Sequence, residues 1–133
     1  MGSGEKRIQI GGKRVRITAE QVVEAYKKTG LTPARGVYFH NGCGCGLTAV
    51  TLTVDPEFFD KHPSHFGIEL AELLSINQSY MDGFIRGFDG GLPITQLFFD
   101  PDYKDGYLDG ASAWEQAHKQ HLMKEGLDEE DHT

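Results

Sequence analysis

The chain has 133 residues, 38% of them hydrophobic and 11% aromatic, enough for one domain core and too apolar for a disordered polymer. A net charge of −7 argues against general nucleic-acid binding, and no stretch approaches the roughly 18 apolar residues of a membrane span. No charged start followed by an apolar run marks a secretion signal, so a cytoplasmic protein with neither membrane nor nucleic acid among its partners is expected.

The charge is unevenly spread. Residues 1–35 carry a net +5 and residues 36–133 a net −12. Either the two parts cancel within one fold, or Lys6, Arg7, Lys13, Arg14 and Arg16 form a basic surface for an acidic partner. Residues 5–126 are expected to form a single globular domain, with 127–133 an acidic, frayed tail.

Met1 to Gly4 carries no fold signal. Ile8 and Ile10 alternate with polar residues, Val15 and Ile17 do the same, and Gly11-Gly12 separates the two runs, which predicts a β-hairpin over 6–18. Thr18 and Gln21 then make a capping box. Val22, Val23 and Tyr26 form a helical apolar stripe, Lys27 and Lys28 suit the negative end of the helix dipole, and Gly30 closes the helix.

Leu31 to Gly46 reads as irregular and glycine-rich, with an extended piece at Val37-Tyr38-Phe39. Residues 47–54 carry two patterns. Thr48, Val50, Leu52 and Val54 alternate as in a strand, whereas Leu47, Val50 and Val54 share one helical face. β-branched content favours the strand; the small residues before it and the helix-rich chain after it favour a buried helix, which is the reading taken. Asp55-Pro56-Glu57 and Asp100-Pro101-Asp102 each supply an Asp cap, a Pro at the first helical position and an acid after it. Ser64 is expected to cap a helix carrying Phe66, Ile68, Leu70, Leu73 and Leu74, and Asn77 to cap the next. The last helix should run over about 101–125, bent near its glycines and ended by Gly126.

An internal repeat is the most specific feature. Residues 77–87 and 100–110 share a cap followed by Tyr-x-Asp-Gly-aromatic-aliphatic-x-Gly, 23 residues apart. On a helix Tyr80, Gly83, Phe84 and Gly87 fall on one face, as do Tyr103, Gly106, Tyr107 and Gly110. Each helical glycine costs about 1 kcal/mol relative to alanine, so the pattern predicts a second helix backbone passing over the glycine face. Asp82 stands opposite, spaced to pair with Arg86, while Asp102, Asp105 and Asp109 give the second unit an acidic outer face that reads as solvated or as a cation site.

The segment His40-Asn41-Gly42-Cys43-Gly44-Cys45-Gly46 concentrates the candidate chemistry. Cys43 and Cys45 could bind zinc with His40 and one or both of His62 and His65, since thiolate and imidazole are its ligand types, although the cysteine spacing departs from the common zinc modules. They could form a redox dithiol, or be small buried apolar residues packed where a helix passes close. The packing reading is favoured, and no cofactor is expected. Gly42, Gly44 and Gly46 suggest a backbone anion nest but lack the lysine of a P-loop. Glu115-x-x-His118 with His121 has one half of a di-iron helix motif.

The fold expected is α+β and mainly helical: an N-terminal β-hairpin, then about five helices, with the two repeat helices crossing at their glycine faces. The function expected is non-catalytic binding or interaction, through a protein partner or self-association. The alternative is a small metal-binding or thiol-redox protein using Cys43 and Cys45.

Overall fold

The computed structural model describes residues 15–36, 42–62, 67–92, 94 and 99–124, together with the backbone of 39–40. Among these the helices are α1 (Ala19–Thr29), α2 (Gly46–Val54), α3 (Phe58–Lys61), α4 (Gly67–Leu74), α5 (Gln78–Phe88) and α6 (Pro101–Lys124). The strands are β1 (Thr32–Pro33), β2 (Phe39–His40) and β3 (Cys43–Gly44), in sheet order β1-β3-β2. The chain is therefore α+β and mainly helical, with six helices among the described residues where about five were expected.

The expected hairpin falls mostly on residues 1–14, outside the described ones. Its return arm is described in part, and Val15–Thr18 is not a strand. The Ile17 N–H donates to the Tyr80 hydroxyl at 2.7 Å. The alternation still places Ile17 inside, at 3% exposure.

α1 begins and ends where its local signals put it. Gln21 N donates to Thr18 Oγ1 at 3.1 Å, and Thr18 N donates to Gln21 Oε1 at 2.8 Å. Gly30 stops the helix in the left-handed region at φ +77°, its N–H reaching Tyr26 O at 2.9 Å. The sheet follows at once. β2 and β3 pair antiparallel, and Gly42 just before β3 takes φ +77°, a conformation tight hairpin turns favour. β1 lies parallel to β3, so a small sheet sits where an irregular segment was expected, and Phe39 of the expected extended piece falls in β2.

Residues 46–54 form the helix α2, which resolves the strand-or-helix ambiguity. Every residue from Gly46 to Thr51 is buried, so the first part of this helix is enclosed on all sides, and only its last turn, with Thr53 and Val54, reaches solvent. A Cβ on Gly46 would stand 3.1–3.3 Å from Phe88, Val22 and Phe84, which shows how close α1 and α5 come to its first turn. Enclosure by helices overrides the strand preference of Val and Thr. After Asp55 the chain turns before re-entering helix, so α3 starts at Phe58, later than the Asp-Pro-Glu signal placed it.

The repeat helices form the spine of the molecule. Asn77 Oδ1 caps α5 by accepting from Tyr80 N at 2.8 Å, and Asp100 Oδ1 caps α6 by accepting from Tyr103 N at 3.2 Å. Asn77 Nδ2 also donates to Asp102 Oδ2 at 2.8 Å, tying the two helix starts side by side. The helices run parallel. A Cβ on Gly83 would lie 2.9 Å from Tyr107 N and still nearer Tyr103 O; one on Gly106 would lie 2.8 Å from Phe84 N and nearer Tyr80 O. Gly87 meets the Tyr107 carbonyl and Gly110 the Phe84 carbonyl in the same way.

These four contacts are related by a pseudo-twofold axis. Adding 23 to each α5 residue gives its α6 counterpart, and the swap carries Gly83 on Tyr103 into Gly106 on Tyr80. Each glycine thus aims a Cα–H at a carbonyl of the sister helix, a weak hydrogen bond worth about 0.5–1 kcal/mol. Those contacts, and the burial of Tyr80, Phe84 and Phe88 at 3%, 1% and 0% exposure, offset the helix-propensity cost of the glycines. Because the helices are parallel, the end of α5 and the start of α6 stand roughly 16 Å apart along the helix axis, a length that the twelve residues between them easily span. α6 continues unbroken past its glycines to Lys124.

Candidate functional site

Of the residues expected to bind metal or do thiol chemistry, Cys45 is placed most definitely. It stands just before α2, is 4% exposed, and its thiol lies 3.4 Å from Thr48 Oγ1. Burial pushes its pKa up, so the thiol form is favoured over the nucleophilic or metal-binding thiolate. Cys43 is half-buried in β3, and the hairpin register sets its Cα opposite that of His40. His62 follows α3 and packs its ring 4.6 Å from that of Phe58. His65 lies outside the described residues. Among the described residues no three or more His, Cys, Asp or Glu are grouped so as to hold a metal ion.

The glycines of this segment serve the sheet and the helix packing. Gly42 O accepts from Thr32 N at 2.9 Å, and Gly44 O accepts from the Tyr26 hydroxyl at 2.6 Å and from Ala34 N at 3.2 Å. Burial raises the Tyr26 pKa, keeping the hydroxyl a donor at any ordinary pH. Gly46 lies under the α5 aromatics, as described above.

The acidic face of α6 is taken by the chain itself. Arg16 forks onto Asp109, Nε to Oδ2 at 3.0 Å and Nη2 to Oδ1 at 2.9 Å, with Asp105 3.7 Å from Nη1. The Tyr80 hydroxyl donates to the same Asp109 carboxylate at 2.5 Å while accepting from Ile17 N. Burial first, then this bond, push the Tyr80 pKa up, and the Asp109 bond pushes that of Arg16 up. At Arg16, then, the basic start of the chain meets its acidic body. Lys6, Arg7, Lys13 and Arg14 lie outside the described residues.

On α5 the expected Asp82–Arg86 pair gives way to a loop contact. Arg86 Nε donates to Leu92 O at 2.7 Å, and the Tyr107 hydroxyl donates to Gly91 O at 2.9 Å, so both helices hold the start of the crossover. Beside it is an open hollow of about 490 Å³ lined by Asp82, Ile85, Arg86, Asp89, Ile94 and Tyr103. Among its described residues, Leu92 at 78% and Phe99 at 79% exposure are the most exposed large apolar side chains of the crossover.

The second half of α6 carries a cluster that sequence reasoning missed. Arg35 donates Nε to Phe88 O at 2.8 Å and lies with Cζ 4.4 Å above the Trp114 ring, while Gly36 N donates to Asp89 Oδ1 at 2.9 Å. His118 stacks on Trp114 with centroids 4.5 Å apart and planes 14° apart, which turns the Glu115-x-x-His118 spacing into an aromatic contact. The chain's single Trp, with a His one turn on, was the available signal, but nothing local pairs it with Arg35. Among the described residues no helix is long and apolar enough to cross a membrane. Comparison with protein-family models, with curated proteins and with solved structures finds no match, so the site must be judged from its own residues.

Proposed function

We propose that the chain is a non-catalytic binding protein that works through protein contact, with a second copy of itself as the first partner. The observation that carries this reading is the exposure of Leu92 and Phe99, at 78% and 79%, on the crossover between the repeat helices. Large apolar side chains left this exposed, one near each end of the link, favour burial against a partner. The neighbouring charges suit a twofold contact. Asp82 and Arg86 are both exposed, and Arg86 has turned its Nε to the Leu92 carbonyl. Across a twofold axis a surface meets its own copy, so Asp82 of each protomer can face Arg86 of the other. The non-catalytic part rests on Cys45, whose thiol is buried and held away from the thiolate form. A reducing, cytoplasmic setting suits two free thiols.

Sedimentation equilibrium tests the proposal. The parent chain should be dimeric at micromolar concentration, and Leu92→Glu with Phe99→Glu should be monomeric with an unchanged melting temperature. A parent that stays monomeric across the concentration range would overturn it. The thiol-redox or metal alternative has one geometric point in its favour, the His40–Cys43 register. Stoichiometric zinc on the purified protein would put that alternative first.

A further inference from the structure

The last turns of α1 and α6 lie side by side with β1 across one end, and between them opens a cleft of about 200 Å³. Its floor and walls are apolar: Leu31 and Ala117 are buried, and Val23 and Pro33 half-buried. Tyr26 also lines it, but its hydroxyl is already committed to Gly44 O, so the ring alone faces the space. The exposed lining is neutral Gln120 and two cations. Lys27 comes from α1 and Lys124 from α6, with half-buried His121 one turn before Lys124. Among the described residues no carboxylate lines the cleft, in a chain whose net charge is −7. Among the described residues neither lysine nor His121 forms an ion pair within the chain.

Lysines in a last helical turn also answer the helix dipole. That accounts for their charge. It accounts neither for the apolar hollow held between two such turns nor for the lack of an acid among its described lining residues. We infer that this cleft binds a small amphipathic anion, a medium-chain monocarboxylate whose chain lies against Val23, Leu31, Pro33 and Ala117 and whose head group meets Lys27 and Lys124. The size points the same way. The cleft is below the roughly 300 Å³ at which sites for larger organic ligands begin, so it suits a single short apolar body. The site lies on α1 and α6, apart from the crossover, and does not depend on self-association.

Calorimetric titration of the full chain with octanoate, octan-1-ol and octyltrimethylammonium tests this. Octanoate should bind at a single site per chain, the cation should not bind, and the alcohol should bind at least tenfold more weakly than octanoate. From butanoate to octanoate the affinity should rise about fourfold per methylene, the increment for burying each in an apolar site. Lys27→Gln with Lys124→Gln should weaken octanoate at least tenfold while leaving the alcohol and the melting temperature unchanged. Val23→Phe, which fills the cleft from a half-buried wall, should abolish both. Leu92→Glu with Phe99→Glu should bind octanoate as the parent does, which separates this result from the dimer test. Equal binding of octanoate and octan-1-ol, indifference to the lysine substitutions, or no octanoate binding would each overturn the inference.

Discussion

Tyr80 and Tyr103 hold matching places in the two units and do different work. The Tyr80 hydroxyl accepts from Ile17 N and donates to Asp109, joining the chain start to α6. Tyr103 is equally buried, at 3%, but among the described residues its hydroxyl makes no hydrogen bond. Tyr80→Phe leaves a buried N–H without an acceptor and should cost about 1–3 kcal/mol. Tyr103→Phe should change stability by less than about 0.5 kcal/mol. Urea unfolding of the two variants reads the difference, and equal losses would show that Tyr80 is only a packing residue. The cysteines separate in a similar way. Cys45 is enclosed and its thiol pKa raised, so at pH 8 it should react with a thiol reagent only as fast as the chain opens, while half-buried Cys43 reacts in the folded state. Two equally fast thiols would contradict the placement of Cys45.

The elements legible in the sequence are those decided by a few neighbouring residues. The Thr18–Gln21 box, the Gly30 stop and the Asn77 and Asp100 caps all act within one helical turn, and each stands where the residues put it. Asn77 does more than cap, since its amide also reaches Asp102. Asn77→Ala should therefore cost more than the roughly 1 kcal/mol of an ordinary cap, with thermal unfolding as the measure. A loss below that value would show that the link between helix starts adds nothing. Residues 47–54 were ambiguous because enclosure, not propensity, decides them. The β2–β3 hairpin carried its signal openly in Asn41-Gly42, but strands of two residues leave no alternation to find. Contacts between distant residues were the least legible: Arg16 with Asp109 across 93 positions, and Arg35 over Trp114. The composition hinted at the first through its charge asymmetry, and nothing local hinted at the second.

At the scale of the whole molecule, two parallel helices, related by a pseudo-twofold axis and touching backbone to backbone at their glycines, support everything else. α2 packs its buried first turn under Phe84 and Phe88, the chain start is fastened to Tyr80 and Asp109, and the crossover and the α1–α6 cleft hang from the same pair. Both proposed binding surfaces therefore depend on that contact. Its most direct test is the thermal unfolding of Gly83→Ala and Gly106→Ala, with Lys104→Ala as an exposed control. Alanine is the better helix former by about 1 kcal/mol, so on propensity alone both variants gain stability. In the packed pair each new methyl falls on a sister carbonyl, Tyr103 O or Tyr80 O, and backbone cannot swing aside as a side chain would. Such overpacking typically costs about 1–3 kcal/mol or more and should outweigh the gain. The predicted result is a melting temperature lowered by several degrees, similarly in both glycine variants, with the control unchanged. Glycine variants that melt at or above the parent would contradict the backbone contact on which the fold rests.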